Sequence, residues 1–216
     1  MVQDLGRIAA AYDIVAREYA EAFRDEHEKK PMDGQMLGRF AREMGDAAPV
    51  WDLGCGPGQT TKHLRGLGIH ACGLDLSERL IDRARAAHPG IHFRTGNLLD
   101  LDFPDASIAG VVCFYAIVHF SNDQAEQAFR EMWRVLRPGG MLLLTYHIGR
   151  TTMHLDRFLG REIDLVFTFF TTDFVTGSLV KCGFEKVEVI ERDPYPEVEY
   201  QSRRAYAFAK KPTASV

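Results

Sequence analysis

The chain has no stretch approaching the roughly 18 consecutive apolar residues that a membrane-spanning helix needs, so no membrane partner is expected. Cysteine is scarce: four residues, at 55, 72, 113 and 182, none in a CxxC pair. That spacing argues against a zinc or thioredoxin-type site and predicts no metal, with free thiols in a reducing, cytoplasmic setting. Basic charge is not in excess either. Lys and Arg number 26 against 30 Asp and Glu, a net charge of −4. A nucleic-acid partner usually demands a basic face, so none is expected, and Arg203-Arg204 and Lys210-Lys211 read as solvated pairs. Asp4, Arg7 and Asp13 interrupt any apolar leader at the start. Low-complexity tracts, long linkers and internal repeats are missing too. The 216 residues suit one domain, as monomer or homodimer.

What is present is a strand–helix alternation. Residues 5–26 carry apolar positions at helical spacing, from Leu5 and Ile8 through Tyr12, Val15 and Tyr19, and Lys30-Pro31 ends the segment. A second helix is expected over 33–44, so residues 1–45 form an N-terminal helical cap. Strands are predicted at 50–53, 71–75, 91–95, 108–115 and 141–146, with helices at 59–67, 77–87 and 123–136; a turn is expected at 137–140. This is the pattern of a parallel sheet with helices on both faces. Residues 184–191 and 204–210 alternate with period two around a turn at 193–196, which predicts an antiparallel hairpin at one sheet edge. Residues 147–183, with an aromatic run at Phe167, Phe169 and Phe170, read as a cover insertion.

The segment Val50-Trp51-Asp52-Leu53-Gly54-Cys55-Gly56-Pro57-Gly58 carries the most information. An apolar strand ends in an acid and enters a loop with glycines at alternate positions, which lets backbone approach a nucleotide-like ligand. The dinucleotide fingerprint needs its third glycine one position later, and a P-loop needs Gly-Lys-Ser/Thr. The loop therefore suits a nucleoside without a pyrophosphate.

In order and spacing, residues 50–146 resemble the class I S-adenosylmethionine-dependent methyltransferases, in their small-molecule branch. Asp52 to Gly58 match the first motif. Asp75, in Gly73-Leu74-Asp75-Leu76-Ser77, matches the acid that takes both ribose hydroxyls. Asn97 and Leu98 match the adenine-reading position, where Asn97 replaces the usual Asp. Arg134 to Gly140 match the helix-to-turn signature before the fifth strand. The resemblance implies a doubly wound, mostly parallel seven-stranded α/β sheet of order 3-2-1-4-5-7-6 with an antiparallel edge hairpin, all one Rossmann-like domain over 1–216. It also implies S-adenosylmethionine as cofactor, S-adenosylhomocysteine as product, and a small-molecule methyl acceptor.

The cofactor residues so implied are Tyr12, Tyr19, Asp52, Gly54, Cys55, Gly56, Gly58, Asp75, Leu76, Asn97, Leu98 and Tyr115. Asp52 would face the ligand's ammonium, directly or through water, and the two tyrosines would help hold its carboxylate end. His119 and His147 follow strands at the end where such folds place their sites, and either could serve as a base near neutral pH. His154, Phe170 and Arg203 are candidates for acceptor contacts. Methyl transfer to O, N or S of a metabolite needs alignment above all, and a base only if the nucleophile must lose a proton. Two other readings compete: a non-catalytic cofactor-binding scaffold, and a protein or RNA methyltransferase. Against RNA, the Asn/Asp-Pro-Pro-aromatic motif is absent where Cys113-Phe114-Tyr115-Ala116 stands.

Overall fold

The computed structural model describes residues 4–213. Seven strands form one sheet: β1 (Val50–Leu53), β2 (Ala71–Asp75), β3 (Phe93–Thr95), β4 (Ile108–Phe114), β5 (Leu136–His147), β8 (Glu185–Arg192) and β9 (Arg204–Lys210). Two more, β6 (Thr152–Phe158) and β7 (Arg161–Thr168), make a separate hairpin. The sheet order is β3-β2-β1-β4-β5-β9-β8. Leaving the separate hairpin out of the count, this is the expected 3-2-1-4-5-7-6. The first five strands pair in parallel, and β9 is antiparallel to both β5 and β8.

The central strands are buried on both faces, as their near-continuous apolar sequence requires. On one face Leu53, Val111 and Leu144 pack under α6 (Asn122–Val135) and α7 (Thr172–Lys181). On the other, Val50, Val112 and Leu143 meet Leu37, Phe40 and Met44 of α3 (Pro31–Met44). Helices α4 (Gln59–Gly66) and α5 (Glu78–Ala87) connect β1 to β2 and β2 to β3. Ser77 caps α5 through the Leu80 amide, as expected, and Ser121 with Gln124 forms a capping box on α6. The order reverses between β1 and β4, which opens a crevice at the C-terminal strand ends.

Five local expectations change. The first helix, α1 (Leu5–Ala22), stops early, where the Phe23 amide closes on the Tyr19 carbonyl; a single turn, α2 (Glu26–Lys29), follows. α3 begins at Pro31 rather than at residue 33, because proline at a first helical position loses no hydrogen bond. Residues 137–140 belong to a long β5 whose pairing with β4 is irregular between Ile108 and Gly110. Within 147–183 the polar stretch is the β6–β7 hairpin, and Ile163 and Leu165 of β7 bury Ile8, Ala11 and Val15 of α1. The whole span 193–203, not a tight turn, joins β8 to β9.

Candidate active site

A cavity of about 880 Å³ lies over the C-terminal ends of β1, β2, β4 and β5. Helix α1 and the β6–β7 hairpin close it from above, and the 197–201 segment borders its far end. Near the switch point, Gly54 and Gly56 both have positive φ, 76° and 53°. A Cβ on Gly54 would sit 2.1 Å from the Ala116 Cβ, so that glycine is needed for packing. A Cβ on Gly56 meets nothing closer than Tyr19 Cε1 at 3.7 Å and would occupy cavity space. Asp75 accepts the Gly56 amide on Oδ2 at 2.8 Å and the Ser77 amide on Oδ1 at 2.9 Å. These bonds fix the carboxylate and leave each oxygen lone-pair capacity for a vicinal diol. Burial raises the Asp75 pKa above the ordinary carboxylate value, opposed by those amide bonds. Leu76, Asn97 and Leu98 continue the wall. The Asn97 Oδ1 already accepts the Leu99 amide at 2.9 Å. An oriented carboxylate, an open glycine and an apolar slot beyond fit S-adenosylmethionine.

Tyr12 and Tyr19 enter from α1 with rings edge-to-face, centroids 5.6 Å apart. His119 ends a 3-10 turn (Ala116–His119) after β4 and is buried. Its Nε2 lies 2.8 Å from the Tyr12 hydroxyl and its Nδ1 2.9 Å from the Val166 carbonyl. Burial pushes its pKa down to about 4.

The far end of the cavity is aromatic and ionic. The His147 ring stacks on Phe169, centroids 5.4 Å apart and planes 13° from parallel. Ser202 Oγ lies 2.6 Å from its Nδ1, and the Arg204 Nη1 donor lies 2.7 Å from Nδ1 and 2.9 Å from Nε2. Burial, then the neighbouring Arg204 cation, brings the His147 pKa down to about 3. The register that sets His147 opposite Arg204 on β9 creates this contact. Glu199 accepts from Arg192 and Arg204, and Lys30 bonds Glu26 and approaches Glu199 at 3.6 Å. Burial would raise the Glu199 pKa, but those cations and the Tyr195 amide hold it at about 2. Behind them Asp33 pairs with Arg192 and accepts the Tyr206 hydroxyl.

Of the residues expected at the cofactor, Tyr12, Tyr19, Gly54, Cys55, Gly56, Asp75, Leu76, Asn97, Leu98 and Tyr115 line this cavity. Asp52 and Gly58 do not. Asp52 lies buried beneath the loop, where Oδ2 accepts the Thr61 hydroxyl at 2.7 Å. Gly58 starts α4 at φ 89°, where a Cβ would press on Phe93 Cζ at 2.7 Å. The Tyr115 ring lies toward the ionic end, 5.3 Å from the His147 ring, and its hydroxyl is enclosed without a hydrogen bond.

The three acceptor candidates fall outside the cavity. His154 is exposed on the hairpin and bonds Asp164. Phe170 is in the core, stacked on Phe174. Arg203 points to solvent and pairs with Glu191 and Asp193. Each misses by one position along a strand or beside one, since alternation sends its neighbour inward. Phe169 and Arg204 are the inward neighbours, joined by Met153, Leu155 and Tyr200. Period-two alternation over 152–158 and 161–169 was the signal available in the sequence.

Residues 50–140 match a family model described as a methyltransferase domain. A probable S-adenosylmethionine-dependent methyltransferase of Mycolicibacterium smegmatis is 39% identical over 53% of this chain and 46% of its own length. A malonyl-[acyl-carrier protein] O-methyltransferase of Enterobacter lignolyticus is 30% identical over 74% of this chain and 66% of its own. The chain thus spans about half to two thirds of these curated relatives. Magnesium protoporphyrin IX methyltransferase from Synechocystis PCC 6803, solved with bound S-adenosylmethionine, shares the fold at a TM-score of 0.74 and 15% identity, over 98% of both chains. With the motifs in register and the strand order in agreement, residues 50–140 carry the methyltransferase domain of the class I S-adenosylmethionine-dependent family.

Proposed function

We propose that the chain transfers a methyl group from S-adenosylmethionine to an oxygen, nitrogen or sulfur atom of a small metabolite. The observation that carries this reading is the continuity of one cavity, about 880 Å³, from the Gly56–Asp75 cradle to the His147–Phe169–Arg204 end. That volume is at the upper end of the roughly 300–1,000 Å³ range for small-molecule sites. It leaves room for an acceptor beyond the nucleoside. The O-methyltransferase relatives make oxygen the first atom to test.

In this reading the residues of 147–183 act as a cover with the N-terminal helices, excluding water and holding the acceptor in line. His147 shapes the acceptor wall: it is neutral and its ring nitrogens are held by Ser202 and Arg204. The four free cysteines fit a reducing cytoplasm. Among the described residues no helix is long and apolar enough to cross a membrane.

Incubation with methyl-labelled S-adenosylmethionine and a fractionated cell extract tests the proposal. Label in a low-molecular-mass product supports it. Label only in protein or RNA moves the acceptor class, and cofactor binding without any labelled product leaves the scaffold reading.

A further inference from the structure

The hydrogen bonds of His119 dictate more than its burial. The Val166 carbonyl can only accept, so the proton of a neutral His119 sits on Nδ1. Nε2 then presents a lone pair, and the group facing it at 2.8 Å is the Tyr12 hydroxyl. Burial, with Asp75 nearby, holds the Tyr12 phenol well above its ordinary pKa, so it keeps its proton. A phenol has one proton, and here it is spent on His119.

We propose that His119 is a positioning residue that sets the polarity of Tyr12, so that Tyr12 meets the ligand as a hydrogen-bond acceptor. Resting on the methyl-transfer reading, this changes what Tyr12 does in the site. It faces a donor of the nucleoside–amino acid ligand, an ammonium or a ribose hydroxyl, and not the carboxylate. Tyr19, whose hydroxyl makes no hydrogen bond among the described residues, is the tyrosine free to donate to that carboxylate. The arrangement spans three elements: Tyr12 on α1, His119 after β4, and Val166 on the covering hairpin. Each is far from the others in sequence, and the polarity of Tyr12 exists only when all three are assembled.

Nitrogen NMR of the histidine rings in the intact chain tests the tautomer. His119 is expected with Nδ1 protonated and Nε2 bare, and Tyr12→Phe is expected to move only the Nε2 signal. A protonated Nε2 would overturn the proposal, because Tyr12 would then accept from the ring and have its proton to offer. Calorimetry with S-adenosylhomocysteine and with 5′-methylthioadenosine tests the consequence. Tyr12→Phe is expected to weaken S-adenosylhomocysteine about tenfold, the loss of one hydrogen bond to a charged or strongly polar donor. Equal weakening of 5′-methylthioadenosine places the donor on the ribose; unchanged binding of that probe places it on the amino-acid part. Weakening within twofold for both probes contradicts the acceptor role.

Two substitutions of His119 separate polarity from packing. His119→Gln keeps a donor and an acceptor on one amide and is expected to retain most of the affinity. His119→Leu fills the space without either and is expected to lose about tenfold. The reverse ranking, with both variants folded by melting temperature, would make His119 a packing residue. Failure of the wild-type chain to bind either probe would sink the cofactor reading, while the tautomer signal would still decide the His119–Tyr12 polarity.

Discussion

Asp75 Oδ2 accepts the Gly56 amide at 2.8 Å, so the acid that the proposed function sets against the ribose also ties down the glycine loop. Asp75→Ala removes both functions. Bonds to a charged group are worth about 1.5–3 kcal/mol each, so S-adenosylhomocysteine binding should weaken by at least about tenfold. Calorimetric affinity within twofold of wild type would show that the carboxylate does not touch the ligand.

Gly54 and Gly56 are two positions apart, yet substitutions there should fail differently. Gly54→Ala drives a Cβ into Ala116 at a left-handed backbone angle, and overpacking of this kind costs about 1–3 kcal/mol in addition to strain. Its melting temperature should fall. Gly56→Val pays backbone strain but points into open space, so it should bind no S-adenosylhomocysteine with a smaller loss of melting temperature.

Asp52 should make stability fall with rising pH over a defined window. Burial lifts its pKa from an ordinary 3.8 to about 7, with Asp75 adding to the shift and the Thr61 hydroxyl opposing it. Between those values the folded state holds a proton that the unfolded state has released, so the slope of unfolding free energy with pH is negative. The contribution is complete below the ordinary carboxylate pKa and lost by about pH 7. Asp52→Asn removes the titration, so its stability relative to wild type should rise from pH 4 to 7 in denaturant melts. A flat difference would mean that Asp52 is ionised throughout.

His147 works in the opposite sense. Its folded pKa near 3 lies below the ordinary 6.5, so the unfolded state takes up the proton first as pH falls. Stability from this site is full above about pH 6.5 and is lost progressively below it. His147→Gln should therefore show a smaller acid loss than wild type over pH 6.5–4. For the same reason, no histidine limb near pH 6.5 is expected in kcat/KM for an acceptor that does not itself titrate there.

Acceptor selectivity should follow the inward-facing residues. Phe169→Ala removes the ring stacked on His147 and should raise the acceptor KM several-fold or more. Arg203→Ala, cut from a solvent pair worth about 0–1 kcal/mol, should leave it unchanged. An effect at Arg203 equal to that at Phe169 would mean that the acceptor binds outside the cavity.

The cofactor end was legible because its signals are local. The glycines of 54–58, the acid at 75 and the cap at Ser77 act within a few residues of one another, and backbone sterics translate them directly into a loop, a strand end and a helix start. The acceptor end was not. Choosing Phe170 over Phe169, or Arg203 over Arg204, requires the strand phase, and the phase is set by partners far away: His147 opposite Arg204 on β9, and Met153 opposite Phe167 in the hairpin. The hairpin was hidden in a stretch whose exposed face is polar.

By itself the sequence determined the strand–helix order, the parallel core and the nucleoside cradle, because periodicity, capping and glycine spacing depend on neighbours along the chain. Only the tertiary structure decided which groups hold which protons. Asp52 lies beneath the loop, both histidines became neutral, and the Tyr12 hydroxyl turned toward His119, since desolvation and a hydrogen-bond partner act through space and arrive from other elements.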